Sequence, residues 1–141
     1  MSQEEKSISL QDLCARLPYG VKCNALLKQI DGSSKSIFGT FKWYNGWATV
    51  GNNLVDIETV RPYLRPMSSM TRKELYEVQE ILGKGVEIHD VFISIVDSSI
   101  NTFSYLELQA VFNWLNSRHF DYCGLIEKGL ALEAPEGMYN V

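Results

Sequence analysis

Four small groupings of residues in this 141-residue sequence are of a type that can do chemistry. His119 and Cys123 are four apart, the spacing that brings two side chains together on one helix face, where an imidazole can activate a thiol. No third group stands ready to orient the imidazole. Asp121, between them, reads as the start of a new helix, so the pair reads as a packed thiol beside a surface or capping histidine. His89 and Asp90 are adjacent, and neighbours on a strand face opposite ways, so they read as a bend. Glu74, Glu77 and Glu80 read as a cap partner and a solvated helix face. Lys42 lies among Phe41, Trp43, Tyr44 and Trp47, an interleaving that can stack nucleobases beside a positive charge. A hairpin uses the same alternation to fill a core with Phe41 and Trp43 and decorate a surface with Lys42 and Tyr44.

Other chemistry is missing. There is no G-x-S-x-G, no P-loop and no G-x-G-x-x-G. Gly83-Lys84-Gly85 is too short for a phosphate loop and follows a helix C-terminus, the wrong dipole end. Cys14, Cys23 and Cys123 are odd in number, without paired spacing, and the only histidines are His89 and His119. Neither a disulfide framework nor a zinc site is expected, and the thiols read as reduced and buried. No catalytic, cofactor-binding or metal-ligating residue is assigned, no cofactor is expected, and the chain reads as not an enzyme.

The elements that would position these residues announce themselves by their caps. Ser9 with Asp12, and Ile8 with Leu13, predict a helix over 10–17 closed by Pro18. Thr71 and Glu74 form a T-x-x-E capping box for a helix over 71–83. Ser104 and Glu107 do the same for 104–117, with Leu108, Val111, Phe112 and Leu115 as the apolar stripe. Asp121 as cap and Gly129 as stop suggest a short helix over 122–128. Between the first two helices, about residues 19–61, short β-type runs alternate with Asp31-Gly32, Asn45-Gly46 and Gly51-Asn52-Asn53. Asn-Gly between aromatic runs is a strong hairpin signal. The expected fold is α+β: a small, strongly bent antiparallel sheet or SH3-like barrel flanked by these helices, with an extra strand near 91–97. One domain spans 1–141, with a possible sub-boundary near 66–70.

The composition, 45% hydrophobic and 21% charged, is that of a globular chain. No apolar run approaches the length of a membrane span, and residues 1–10 lack the apolar core of a secretory signal. A cytoplasmic protein without membrane contact is expected. The net charge of −4 is unevenly spread, +2 over residues 1–70 and −6 over residues 71–141. That excludes a uniformly basic binder and leaves a local basic patch open.

Two stretches carry a resemblance. One is Leu10-Gln11-Asp12-Leu13-Cys14-Ala15-Arg16-Leu17-Pro18-Tyr19-Gly20 with Val60-Arg61-Pro62-Tyr63-Leu64-Arg65-Pro66-Met67. The other is Trp114-Leu115-Asn116-Ser117-Arg118-His119-Phe120-Asp121-Tyr122 with Gly124-Leu125-Ile126-Glu127-Lys128-Gly129. Together they resemble a family of small uncharacterised proteins carried by phages and prophages of gut Bacteroides-type bacteria. Cys123 stands where that family usually has an arginine. The resemblance implies a role inside a bacterial cell and supplies no site residues.

The resulting expectation is a non-enzymatic binding or adaptor protein of phage or prophage origin, acting through protein–protein contacts, with homo-oligomerisation open. One alternative is a nucleic-acid-binding accessory factor using a basic aromatic patch of Lys42, Trp43, Tyr44, Arg61 and Arg65. Another is a small-molecule binder with a pocket between sheet and helices lined by Trp47, Tyr63 and Trp114.

Overall fold

The computed structural model describes residues 2–82 and 105–139. Helix α1 (Gln3–Arg16) begins well before the expected residue 10, because Ser2 and Glu5 make a complete capping box. The Glu5 amide donates to Ser2 Oγ at 3.1 Å and the Ser2 amide to Glu5 Oε2 at 3.0 Å. Ser9, expected to be the cap, is instead buried within the helix. Pro18 sits in a 3-10 turn (Leu17–Tyr19), and Gly20 at φ 66° steers the chain into the sheet.

Among the described residues six strands follow: β1 (Lys22–Lys28), β2 (Ser34–Tyr44), β3 (Trp47–Val50), β4 (Asn53–Leu54), β5 (Arg61–Leu64) and β6 (Leu132–Glu133). Their order is β4-β3-β2-β1-β5-β6, antiparallel except for the parallel β5–β6 pair. The fold is α+β, but the sheet is open and mixed, with β4 and β6 at its edges, where a closed SH3-like barrel was one expectation. Asn45 and Gly46, at φ 50° and 82°, turn β2 into β3 with Tyr44 opposite Trp47. Pro62 fits inside β5 because β6 pairs only with Tyr63 and Leu64, leaving Pro62 to face β1 alone. Where the chain leaves β3, Gly51 crosses so close to Gly39 that a Cβ on Gly39 would lie 2.6 Å from Gly51 Cα and N.

The alternation of β1 and β5 is strict: Val21, Cys23, Ala25, Pro62 and Leu64 are buried while Lys22, Asn24, Arg61 and Tyr63 are not. The inner face, with Phe41, Ala48 and Val50, packs against Leu13 of α1 and against Leu125, Leu130 and Ala131 near the C-terminus. A second cluster joins α2 (Arg72–Leu82) to α3 (Tyr105–Ser117) through Val78, Val111, Leu115 and Phe120. The capping box of α2 is made as expected, with the Glu74 amide donating to Thr71 Oγ1 at 3.2 Å and the Thr71 amide to Glu74 Oε1 at 3.0 Å. Phe112 is only partly buried beside this cluster.

Residues 122–128 form turns, not the expected helix. Asp121 caps them, accepting from the amides of Leu125 at 2.8 Å and Ile126 at 3.0 Å. The left-handed conformations of Gly124 and Gly129 interrupt any helical run. The expected strand near 91–97, the Ser104 cap, His89-Asp90 and Gly83-Lys84-Gly85 all lie outside the described residues. Among the described residues, no helix is long and apolar enough to cross a membrane.

The Gly39–Gly51 crossing generates a stability prediction. Gly39→Ala forces backbone apart and is expected to cost about 1–3 kcal/mol. Gly51→Ala adds left-handed strain at φ 56° and a 3.2 Å approach to the Phe38 carbonyl, so it too destabilises. Urea unfolding of both against the parent chain is the check; parental midpoints would mean that the two strands do not cross this closely.

Candidate functional site

Because strand side chains alternate, the pairing registers place every outward-facing residue of the sheet on one surface. Its apolar members are Leu26, Phe38, Tyr44, Trp47, Leu54, Tyr63 and Leu132. Lys22, Lys28, Lys42 and Arg61 stand among them, and no strand contributes an outward Asp or Glu. Among the described residues no element packs over this face, so Trp47 is 64% exposed, Tyr44 67% and Phe38 55%. Single exposed apolar residues are ordinary, but a contiguous group of this size marks an interaction surface.

The aromatic side chains form two groups. Phe38 and Tyr63 meet edge to face, with ring centroids 5.7 Å apart. Tyr44 and Trp47 are cross-strand neighbours at the Asn45-Gly46 turn. Thr40 and Lys42 lie between the groups along β2. Lys22 Nζ donates to Thr40 Oγ1 at 2.7 Å, and Arg61 Nη1 donates to the carbonyls of Glu58 and Val60. These are neutral partners, and no carboxylate among the described residues pairs with these cations.

The five residues expected to form a patch divide. Lys42 and Tyr44 lie on the outward face. Trp43 sits opposite Ala48 and has inward parity, yet it projects past the end of the core and is 46% exposed. Arg61 is two strands away, paired with Asn24, which in turn is paired with Phe38. Arg65 is taken out of the patch altogether. It is buried, and its guanidinium forks onto Glu74, Nη1 to Oε2 at 2.7 Å and Nη2 to Oε1 at 2.8 Å. The face gains Lys22, Phe38, Tyr63, Leu26, Leu54 and Leu132, which the sequence reading did not single out as a patch. Their period-two alternation is visible in the sequence, but only the β1–β2, β1–β5, β3–β4 and β5–β6 pairings bring them together.

Trp47, Tyr63 and Trp114 do not share a pocket. Trp47 and Tyr63 are on the outer face, whereas Trp114 is on α3, donating from Nε1 to Glu77 Oε2 at 3.0 Å. A cleft of about 800 Å³ lies between residues 65–71 and 133–139, and one of about 530 Å³ lies between α1 and Tyr122-Cys123. Neither is lined by any of the three residues.

The reactive-residue pairs also resolve into structure. His119 is buried in a left-handed conformation, φ 61°, stacked on Tyr139 with centroids 3.9 Å apart, and its Nδ1 has no hydrogen-bond partner among the described residues. Burial, then the positive charges of Arg16, Arg65 and Lys22, hold its pKa down at about 4. Desolvation, then the Asp12 carboxylate, raises the pKa of the Cys123 thiol, the direction opposite to activation. Of the three thiols only Cys23 is buried, its pKa pushed up to about 12 mainly by desolvation; Cys14 and Cys123 reach the surface. Burial opposes ionisation of Glu74, but the Arg65 fork and the Thr71 amide outweigh it and leave the pKa lowered.

No family model matches the chain, and comparison with curated proteins and with solved structures finds no match.

Two predictions follow from the buried polar groups. Glu74→Ala strands the Arg65 charge and is expected to cost on the order of 3–5 kcal/mol in denaturant unfolding; a loss under 1 kcal/mol would show that the fork is solvated. The unfolded His119 imidazole titrates near 6.5, whereas the folded one resists protonation until about 4. The unfolded state therefore binds the extra proton first, and stability is lost as pH falls from about 6.5 towards 4. His119→Asn tolerates the left-handed backbone and cannot titrate, so its thermal midpoint should fall less over that window. Parallel curves for the two chains would contradict the low imidazole pKa.

Proposed function

We propose that this is a non-enzymatic binding protein of phage or prophage origin, working in the bacterial cytoplasm, and that the outer sheet face docks a macromolecular partner. The observation that carries the reading is a face that no described residue covers, with Phe38, Tyr44, Trp47, Leu54 and Leu26 all exposed on the side of the sheet opposite the core. The buried polar groups support a binding role over a catalytic one. Arg16, Arg65, Glu74 and His119 are engaged in holding segments of the fold together. The phage-family resemblance supports the cellular setting.

Site-specific photo-crosslinking in a Bacteroides-type host tests this. A photoreactive phenylalanine analogue at Phe38 or Trp47 is expected to trap a macromolecule. The same group at Tyr76 or Leu106, exposed apolar positions on α2 and α3, is expected not to. Equal trapping at all four positions, or none at any, would refute the assignment of the working face.

A further inference from the structure

We infer that the occupant of the outer face is single-stranded nucleic acid; this rests on the reading of that face as the docking surface. The sequence favours a protein partner, from the lack of a catalytic constellation, the family resemblance and a chain with unlike faces. The composition of the face shifts the balance. Its strands offer Lys22, Lys28, Lys42 and Arg61 outward and no carboxylate, although the chain as a whole carries −4. A partner complementary to it needs negative charge spaced along the strands beside groups that pack on aromatic rings. A phosphodiester strand meets that requirement along its whole length.

The aromatic groups supply the second part of the argument. Stacking needs exposed rings next to a charged track, and it tolerates any base because every base has a π-face. Tyr44 and Trp47 present such rings at one end of β2, and Phe38 with Tyr63 at the other. Phe38 and Tyr44 are six residues apart on one strand, about 20 Å at roughly 3.4 Å per residue. That is the reach of a few nucleotides, at the low end of the ~4–16 that small β domains cover. Lys42 lies between the two aromatic groups, where the backbone of a strand stacked at both ends would pass. Because Asn24, Ser36, Thr40 and Thr49 on the face are already hydrogen-bonded within the sheet, binding is expected to favour single strands without reading sequence.

The test uses the full chain with the octanucleotides dT8 and rU8, followed by tryptophan fluorescence. Binding with quenching is expected for one or both at low salt, and the pair shows which backbone is preferred. The log–log salt dependence should have a slope of about −2 to −3, at about 0.7 per neutralised phosphate with three or four cations engaged. Trp47→Ala, a substitution at an exposed position, should weaken binding roughly 5- to 150-fold, the range for loss of one stacked base. Lys42→Gln should flatten the slope by about 0.7. Circular dichroism confirms that both variants fold. Heparin, which has charge but no bases, should bind without quenching and be indifferent to Trp47→Ala. Failure of both oligonucleotides to bind at low salt, or binding that Trp47→Ala leaves unchanged, overturns the inference. If protein adducts still form at Phe38 and Trp47 while oligonucleotides do not bind, the docking face stands and only its occupant is wrong.

Discussion

The structure turns on a guanidinium with no access to solvent. Arg16, at the last position of α1, is completely buried; its Nε and Nη2 grip the Asp12 carboxylate one turn back, at 2.9 and 3.0 Å. The same Nη2 donates to the Phe120 carbonyl at 2.6 Å, over a hundred residues away in sequence. A charge in this position is tolerable only when its partners are fixed, since the desolvation cost of an unpaired ion is several kcal/mol. α1 and residues 119–121 must therefore be held against each other for either to be in place.

Arg65 makes the companion tie. Its amide donates to the His119 carbonyl at 2.7 Å and its carbonyl accepts from the Asp121 amide at 2.8 Å, extending the line of β5 into the 119–121 segment. Its side chain lies over the Phe120 ring, 4.2 Å from the centroid, and forks onto Glu74 of α2. Phe120 is thus held from one side by Arg16 through its carbonyl and from another by Arg65 through its ring, while Trp114 of α3 stacks beside it. Sheet, α1, α2 and α3 all meet at this residue. Tyr139 closes the arrangement, stacking on His119 and donating to the Tyr63 carbonyl at 2.8 Å.

This concentration of partners on the inner side has a consequence for the outer one. Among the described residues, the helices and the C-terminal turns cover one face of the sheet and leave the other with aromatic rings and cations that pair with no carboxylate. An antiparallel sheet can face water on one side, and then that side is ordinarily polar. Here seven apolar side chains stand among the polar ones, and that departure from the usual alternation is what marks it out as a candidate working surface.

Much of the local structure was legible in the residues. The Thr71-x-x-Glu74 box, the Asn45-Gly46 turn and the alternating strand runs each depend on contacts within a few residues, and each formed as the pattern indicates. Two local readings erred where a second signal competed: the Ser2–Glu5 box pre-empted Ser9, and the left-handed glycines turned 122–128 into a capped loop. What only the tertiary structure decided is partnership across sequence distance. Arg65 reads as a surface base until Glu74 and Phe120 are brought to it. Lys22, Phe38 and Tyr63 read as separate residues until β1 is seen between β2 and β5. Caps and turns are set by nearest neighbours along the chain. Which face of a sheet is covered, and which charge is neutralised, depends on segments a hundred residues apart meeting in space.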